Sequence, residues 1–276
     1  MYKEVYKKDS LSVKGLKWIT KEPDLDSIKK LEKNFNISNV VKAIISNRNF
    51  SSLGIEQYLS PTLRELTPNP MDLHDMDKAI DICYEAILNK HKIGILGDYD
   101  VDGASSSALI FNYLRDIGFK NLEVFIPDRE KDGYGLSENA VNFFYKKEIK
   151  LMICLDCGTN DKKAINYAIS VGIKTIIIDH HEQKQNTNAI AIINPKKNND
   201  SSKLNYLATV GLAFLFLIAL NSKLKKNNFF SSKLMEPNLK KYLDLVALGT
   251  VCDLVPLKKA NRLFVKKGIT EINKKN

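Results

Sequence analysis

Between residues 93 and 193, short apolar runs alternate with segments of helical spacing, and that alternation limits the fold more than any other feature of the chain. The runs are Ile93-Gly94-Ile95-Leu96, Leu122 to Ile126, Leu151 to Leu155, Lys174 to Ile178 and Ala189 to Ile193, each bounded by polar positions. Runs this short, without a polar residue at every second place, suit strands buried on both faces. Ala104 to Ile117, Ser137 to Lys146 and Lys162 to Val171 fall between them with helical periodicity. Strand and helix in strict turn predict an α/β fold, a mostly parallel sheet flanked by helices.

The flanks read differently. Residues 1–70 form a small helical lead-in, with helices over Leu25 to Phe35 and Val40 to Asn47 and breaks at Ser60-Pro61 and Pro68-Asn69-Pro70. Asp75 to Asn89 is an amphipathic helix with Met76, Ala79, Ile80, Cys83 and Ile87 on one face. After a polar loop at 195–205, two apolar helices follow near Tyr206 to Lys223 and Leu239 to Gly249. The expected division is a lead-in at 1–70, a main domain at 71–260 and a basic tail at 261–276.

Composition sets the class. With 44% apolar and 27% charged residues in 276, the chain can bury a core, which excludes a disordered polymer. The longest apolar stretch, Val210 to Leu220, is too short to cross a bilayer. Met1 to Lys8 is charged and leads into no apolar stretch, and four cysteines make no disulfide framework, so a cytoplasmic protein is expected. The net charge of +10 is unevenly spread: residues 183–276 carry 17 basic and 5 acidic side chains, whereas 1–182 carry 25 and 27. Attraction to a polyanion explains this excess. So does a Lys- and Asn-rich codon bias, since only 5 of the 42 basic residues are Arg.

The chemistry gathers at strand ends, where parallel sheets bind ligands. The first run ends in Gly97-Asp98-Tyr99-Asp100-Val101-Asp102-Gly103, the third in Asp156-Cys157-Gly158-Thr159 and the fourth in Asp179-His180-His181. One acid there would be a helix cap; three at spacing two repel one another unless a cation sits among them. Two of the four histidines stand in one dipeptide beside an Asp. A mixed carboxylate and imidazole set suits Mn²⁺ or Mg²⁺ rather than structural zinc, and it is large enough for two ions. Cys154 and Cys157 have no second pair, and strand alternation predicts that they point to opposite faces.

These motifs resemble the DHH phosphoesterases, and in particular the RecJ family of single-strand-specific 5′→3′ exonucleases. Further matching stretches are Ile126-Pro127-Asp128-Arg129, Gly133-Tyr134-Gly135-Leu136, Val210 to Phe214 and Asp244 to Leu257, with Asn261-Arg262 behind them. The resemblance implies that Asp98, Asp100 and Asp156 hold one divalent cation. It implies that Asp102, Asp156, His180 and Asp253 hold the other, with Asp156 bridging. His181 would face the scissile phosphate, Asp179 would orient the histidines and Arg129 would grip a DNA phosphate. Ser105 and Ser106 would help bind an anion at a helix start, a place where they serve equally well as caps. The implied substrate is single-stranded DNA, and the implied partners are a single-strand-binding protein and a helicase in DNA repair and recombination. Two other functions fit the motifs: a phosphoesterase for oligonucleotides or cyclic dinucleotides, and a catalytically weak DNA-binding remnant. Ala260 stands where the family usually has Glu. RecJ chains also continue into a second domain, so the helices near 206–223 and 239–249 are expected to leave surface for one.

Overall fold

The computed structural model describes residues 2–4, 13–16, 19–48, 52–131 and 133–274. The charged start at Met1 to Lys8, except for 2–4, therefore lies outside the described residues, as do positions 275 and 276 of the expected tail. The chain divides into two units, residues 1–65 and 66–276.

The first unit holds an antiparallel pair, β1 (Tyr2–Glu4) and β2 (Ile19–Lys21), then α1 (Leu25–Asn34), α2 (Asn39–Ser46) and α3 (Ser52–Leu59); α4 (Leu63–Leu66) contains the division point. The start of α1 is fixed by Asp24, whose carboxylate accepts from the amides of Asp26 and Ser27. Ser38 does the same for α2 through Val41 N–H.

The second unit runs α5 (Met76–Leu88), β3 (Ile93–Gly97), α6 (Val101–Asp116), β4 (Leu122–Phe125), α7 (Glu138–Lys146), β5 (Leu151–Leu155), α8 (Lys162–Ser170), β6 (Lys174–Ile178), β7 (Ala191–Ile193), α9 (Thr209–Lys226), α10 (Leu243–Cys252) and α11 (Lys259–Lys274). Its five strands are all parallel, in the order β4-β3-β5-β6-β7. Every residue of β3, β5 and β7 is buried, which is why their sequences lack polar alternation. Leu96, Met152, Cys154, Ile177 and Ile192 pack against Val141, Phe144, Ile165 and Ala168 of α7 and α8. The other face of the sheet meets α5, α6 and α9, and α10 joins α6, α9 and α11.

The chain leaves β3 toward β4 on one side and leaves β5 toward β6 on the other. Neighbouring strands whose connections part in this way open a crevice beyond their carboxyl ends.

Three expectations change. Helix α6 begins at Val101 rather than Ala104, because Asp100 caps it by accepting from Gly103 N–H at 2.9 Å. The stretch expected as a basic tail is helical through Lys274, since Leu263, Phe264 and Val265 have apolar neighbours to bury against. Helix α9 leaves no free apolar face: Thr209 to Leu217 are buried without a break, between α5, α6 and α10. The other helix of that expectation does leave apolar surface, at Leu248 and, just beyond it, at Val251, Leu254 and Leu257. Among the described residues no helix is long and apolar enough to cross a membrane.

Candidate metal centre

Strand register places the chemistry. Gly97 pairs with Leu155, Leu155 with Ile178 and Ile178 with Ile193. The next residue on each strand, Asp98, Asp156, Asp179 and Asn194, therefore falls in one row along the carboxyl edge. The ladder carries into that row, with Asp98 N–H donating to Leu155 O, Asp156 N–H to Ile178 O and Asp179 N–H to Ile193 O at 3.0–3.2 Å. Asp98 and Asp156 flank the point where the connections part.

Two glycines let further acids close on this row. A Cβ on Gly103 would lie 2.6 Å from the backbone of Asp98, so glycine there lets the first turn of α6 sit on the strand end. A Cβ on Gly249 would meet Val210 at 2.8 Å and Asp102 Oδ1 at 3.0 Å, so α10 also packs at closest approach and brings Asp253 in.

The acids and histidines form three overlapping groups in which one ligand atom from each residue lies within 4.8 Å of the others. They are Asp98, Asp100 and Asp156; Asp102, His180 and Asp253; and Asp156, His180 and His181. Nε2 of His180 lies 3.5 Å from Asp156 Oδ1 and 3.6 Å from Asp253 Oδ2. Burial first, and then the charge of neighbouring acids, pushes the carboxyls of Asp98, Asp102, Asp156 and Asp253 above the usual carboxylate range. Oδ2 of Asp98, of Asp156 and of Asp253 is buried without a hydrogen-bond partner. Orphaned carboxylate oxygens at such density suit cations, and the residues fit a pair of divalent ions.

Asp179 has a different environment. Its oxygens accept from the amides of Thr159, His180 and His181 and from His181 Nδ1 at 2.7 Å. Burial opposes its charged form, yet these donors bring it down to about 2. The same bond raises the pKa of His181, whereas burial and the neighbouring imidazole lower His180 to about 4. His181 thus favours its charged form and His180 its neutral one.

His181 is 42% exposed at the mouth of the site, and its Nε2 lies 3.0 Å from Tyr134 Oη. The Tyr134 ring stands edge-on to Tyr99, and the Arg129 guanidinium lies 5.5 Å from the centre of the Tyr99 ring. Arg129 is therefore joined to His181 through two tyrosines. Asp161 fastens this rim by accepting from Leu136 N–H and Gly158 N–H, both at 3.0 Å.

Ser105 and Ser106 are not brought to the mouth. Both are buried within α6, and the amides at the helix start are already taken, Gly103 N–H by the Asp100 carboxylate and Ala104 N–H by its carbonyl. The expectation for the two cysteines is also corrected. Asp156 has φ +65°, which turns the chain and breaks strand alternation, so Cys154 and Cys157 share one apolar cluster as free, buried thiols. Burial holds both thiols well above their ordinary pKa.

Sequence reasoning missed Thr209 and Asn194. Thr209 Oγ1 donates to Asp156 Oδ1 at 2.8 Å, and Asn194 Nδ2 donates to Thr159 Oγ1 and to the His181 carbonyl. The only signal was position: a polar residue opening an apolar helix, and one closing an apolar strand.

The model of the DHH family's N-terminal domain matches residues 92–250, which hold the whole five-stranded sheet and all of these candidate ligands except Asp253. The chain belongs to the DHH family. Among DHH relatives, the single-stranded-DNA-specific exonuclease RecJ of Escherichia coli (strain K12) is 35% identical over 229 residues, covering 82% of this chain and 40% of that protein. A crystal structure of exonuclease RecJ bound to manganese superimposes with a TM-score of 0.63 at 29% identity, covering 73% of this chain and 49% of the other. The RecJ of Thermus thermophilus in complex with Mn²⁺ gives 0.70 at 25% identity, covering 92% and 34%. The chain thus spans less than half the length of these DHH proteins.

Proposed function

We propose that the chain is the metal-bearing part of an exonuclease that hydrolyses single-stranded DNA from the 5′ end to mononucleotides. One observation carries the reading: three ligand groups at the switch point are linked by Asp156 and His180, each of which belongs to two of them, and the Oδ2 atoms of Asp98, Asp156 and Asp253 are buried without a hydrogen-bond partner. Asp98, Asp100 and Asp156 would hold one divalent cation. Asp102, Asp156, His180 and Asp253 would hold the other, with Asp156 common to both. Carboxylates with a single imidazole favour Mn²⁺ or Mg²⁺. When bound, such a pair activates water and offsets the charge that develops on phosphoryl oxygens.

The remaining residues act on the strand. His181, whose charged form the Asp179 carboxylate favours, is half-exposed and faces the scissile phosphate as a hydrogen-bond donor. Arg129 at the rim takes a neighbouring phosphate through its two-pronged guanidinium, and the basic excess of the last third draws a polyanion. The names of the relatives support the substrate class, since the Escherichia coli protein is a single-stranded-DNA-specific exonuclease. A role in DNA repair and recombination, a cytoplasmic location, and a single-strand-binding protein and helicase as partners belong to the same reading.

The test is a 5′-labelled single strand incubated with the purified chain and Mn²⁺, beside a duplex of the same sequence. Mononucleotides from the single strand alone, absent with Asp156→Ala, are expected. Internal cuts, or activity that survives Asp156→Ala, would overturn the proposal. Calorimetric titration of that variant should show at least one Mn²⁺ lost.

A further inference from the structure

The first turn of α9 touches the ligand groups from below. Thr209, fully buried, donates its N–H to Asp102 Oδ2 at 2.7 Å and its hydroxyl to Asp156 Oδ1 at 2.8 Å. Val210 N–H donates to Asp102 Oδ1 at 2.9 Å. Asp102 comes from the start of α6 and Asp156 from the turn after β5, so one residue bonds to two carboxylates from separate parts of the chain. Ala208, at the head of α9, supplies no side-chain cap; Asp102 caps the helix from outside. The helix has little room to shift, since every residue from Thr209 to Leu217 is buried.

We infer that Thr209 is a positioning residue of the metal centre, whose hydroxyl sets Asp156 while its N–H sets Asp102, so that the first turn of α9 fixes the spacing of the two cation sites. The inference rests on the two-cation reading above. A carboxylate on a turn has several rotamers open to it, and a metal ligand must hold one. The Thr209 hydroxyl engages Oδ1 of Asp156 and leaves Oδ2, which has no hydrogen-bond partner, free for a cation. Without the hydroxyl, a buried acceptor loses its donor and Asp156 can swing.

The experiment uses the full chain and Mn²⁺, comparing wild type with Thr209→Ser and Thr209→Val by calorimetric titration and electron paramagnetic resonance. Circular dichroism of the metal-free proteins checks that each is folded. Thr209→Ser should keep both sites at wild-type affinity and keep the exchange-coupled spectrum of a manganese pair. Thr209→Val should bind at least one ion about 10–100-fold more weakly and lose that coupled spectrum at two equivalents. If Thr209→Val does not fold, Thr209→Ala removes the same hydroxyl without filling its place, and the same loss is expected. A hydroxyl-free variant that binds both ions as wild type does would overturn the inference and leave the two-cation reading standing. So would a folded Thr209→Ser variant as weakened as the hydroxyl-free ones. A wild-type chain that binds fewer than two Mn²⁺ would overturn both.

Discussion

A carboxylate withdrawn from water stays charged only beside donors or a cation, and the acids at this sheet edge separate on that basis. Asp179 has its donors and keeps its charge, whereas Asp98, Asp102, Asp156 and Asp253 are held toward the protonated form. A raised acid binds more protons folded than unfolded once the pH exceeds about 3.9, so its contribution to stability is present below that value and lost above it. His181, also raised, acts in the same sense, with stability lost as pH climbs through its folded pKa. His180, lowered to about 4, acts oppositely, but only between that value and its ordinary 6.5. From about pH 7 upward the shifts still in play are those of Asp102 and Asp156, pushed up to about 7 and about 10, with His181 in the same sense, and they point one way. The urea midpoint of the metal-free chain in chelator should fall as pH rises from neutral, and saturating Mn²⁺ should flatten the slope. A midpoint that rises with pH in chelator would contradict the assignment. His181→Ala separates chemistry from binding: turnover should drop about 10²–10³-fold, the usual loss for one stabilising donor, while Mn²⁺ stoichiometry holds. Loss of metal in that variant would make His181 a ligand. Asp98, with Asp100 and Asp102 at spacing two, Asp156 and the histidine pair were legible because they follow apolar runs read as buried strands, whereas Asp253, at the end of α10, was legible only through the family resemblance. Thr209 and Asn194 were not, because their partners are far off in the chain and a lone Thr or Asn carries no periodic signal.

Among elements, the strands were the most legible and helix ends the least. Leu151–Leu155 and Lys174–Ile178 fall where their apolar runs do, because burial on both faces leaves no other reading. Helix α9 begins three residues after the expected Tyr206, at the point where Asp102 caps it, and that cap lies beyond the reach of local sequence. Helix α11 went unnoticed because its lysines read as a charged tail, although Gly268 lies against Leu243 and Ala247 of α10 and the Phe264 ring against Phe214 of α9. Close helix contact yields a further expectation. Gly249→Ala would press a methyl against Val210 and Asp102, and overpacking of this kind costs about 1–3 kcal/mol. Urea denaturation should show that loss together with weaker Mn²⁺ binding, because the displaced atom belongs to Asp102, a ligand in the proposed site. Wild-type stability in Gly249→Ala would mean that α10 can retreat without disturbing the site.

For the whole molecule, the groups that would meet DNA lie on an open side: Asp100, Arg129 and Tyr134 are exposed, and His181 is half-exposed. The 229 residues aligned with the Escherichia coli relative cover 40% of that protein. A strand held on an open face is released between cuts. The purified chain should therefore digest a long 5′-labelled strand slowly, with products spread over all lengths and increasingly salt-sensitive binding. Processive digestion at the rate of a longer relative would show that these residues suffice. The order of the ligands along the chain has its own consequence. Asp98, Asp100 and Asp156 are all in place once β5 is made, whereas Asp253 arrives only with the end of α10. A ribosome-bound or proteolysed chain that stops short of α10 has the residues of the three-carboxylate group and lacks an acid of the other, so on the two-cation proposal the number of ions a fragment holds would report how far its synthesis or survival has gone.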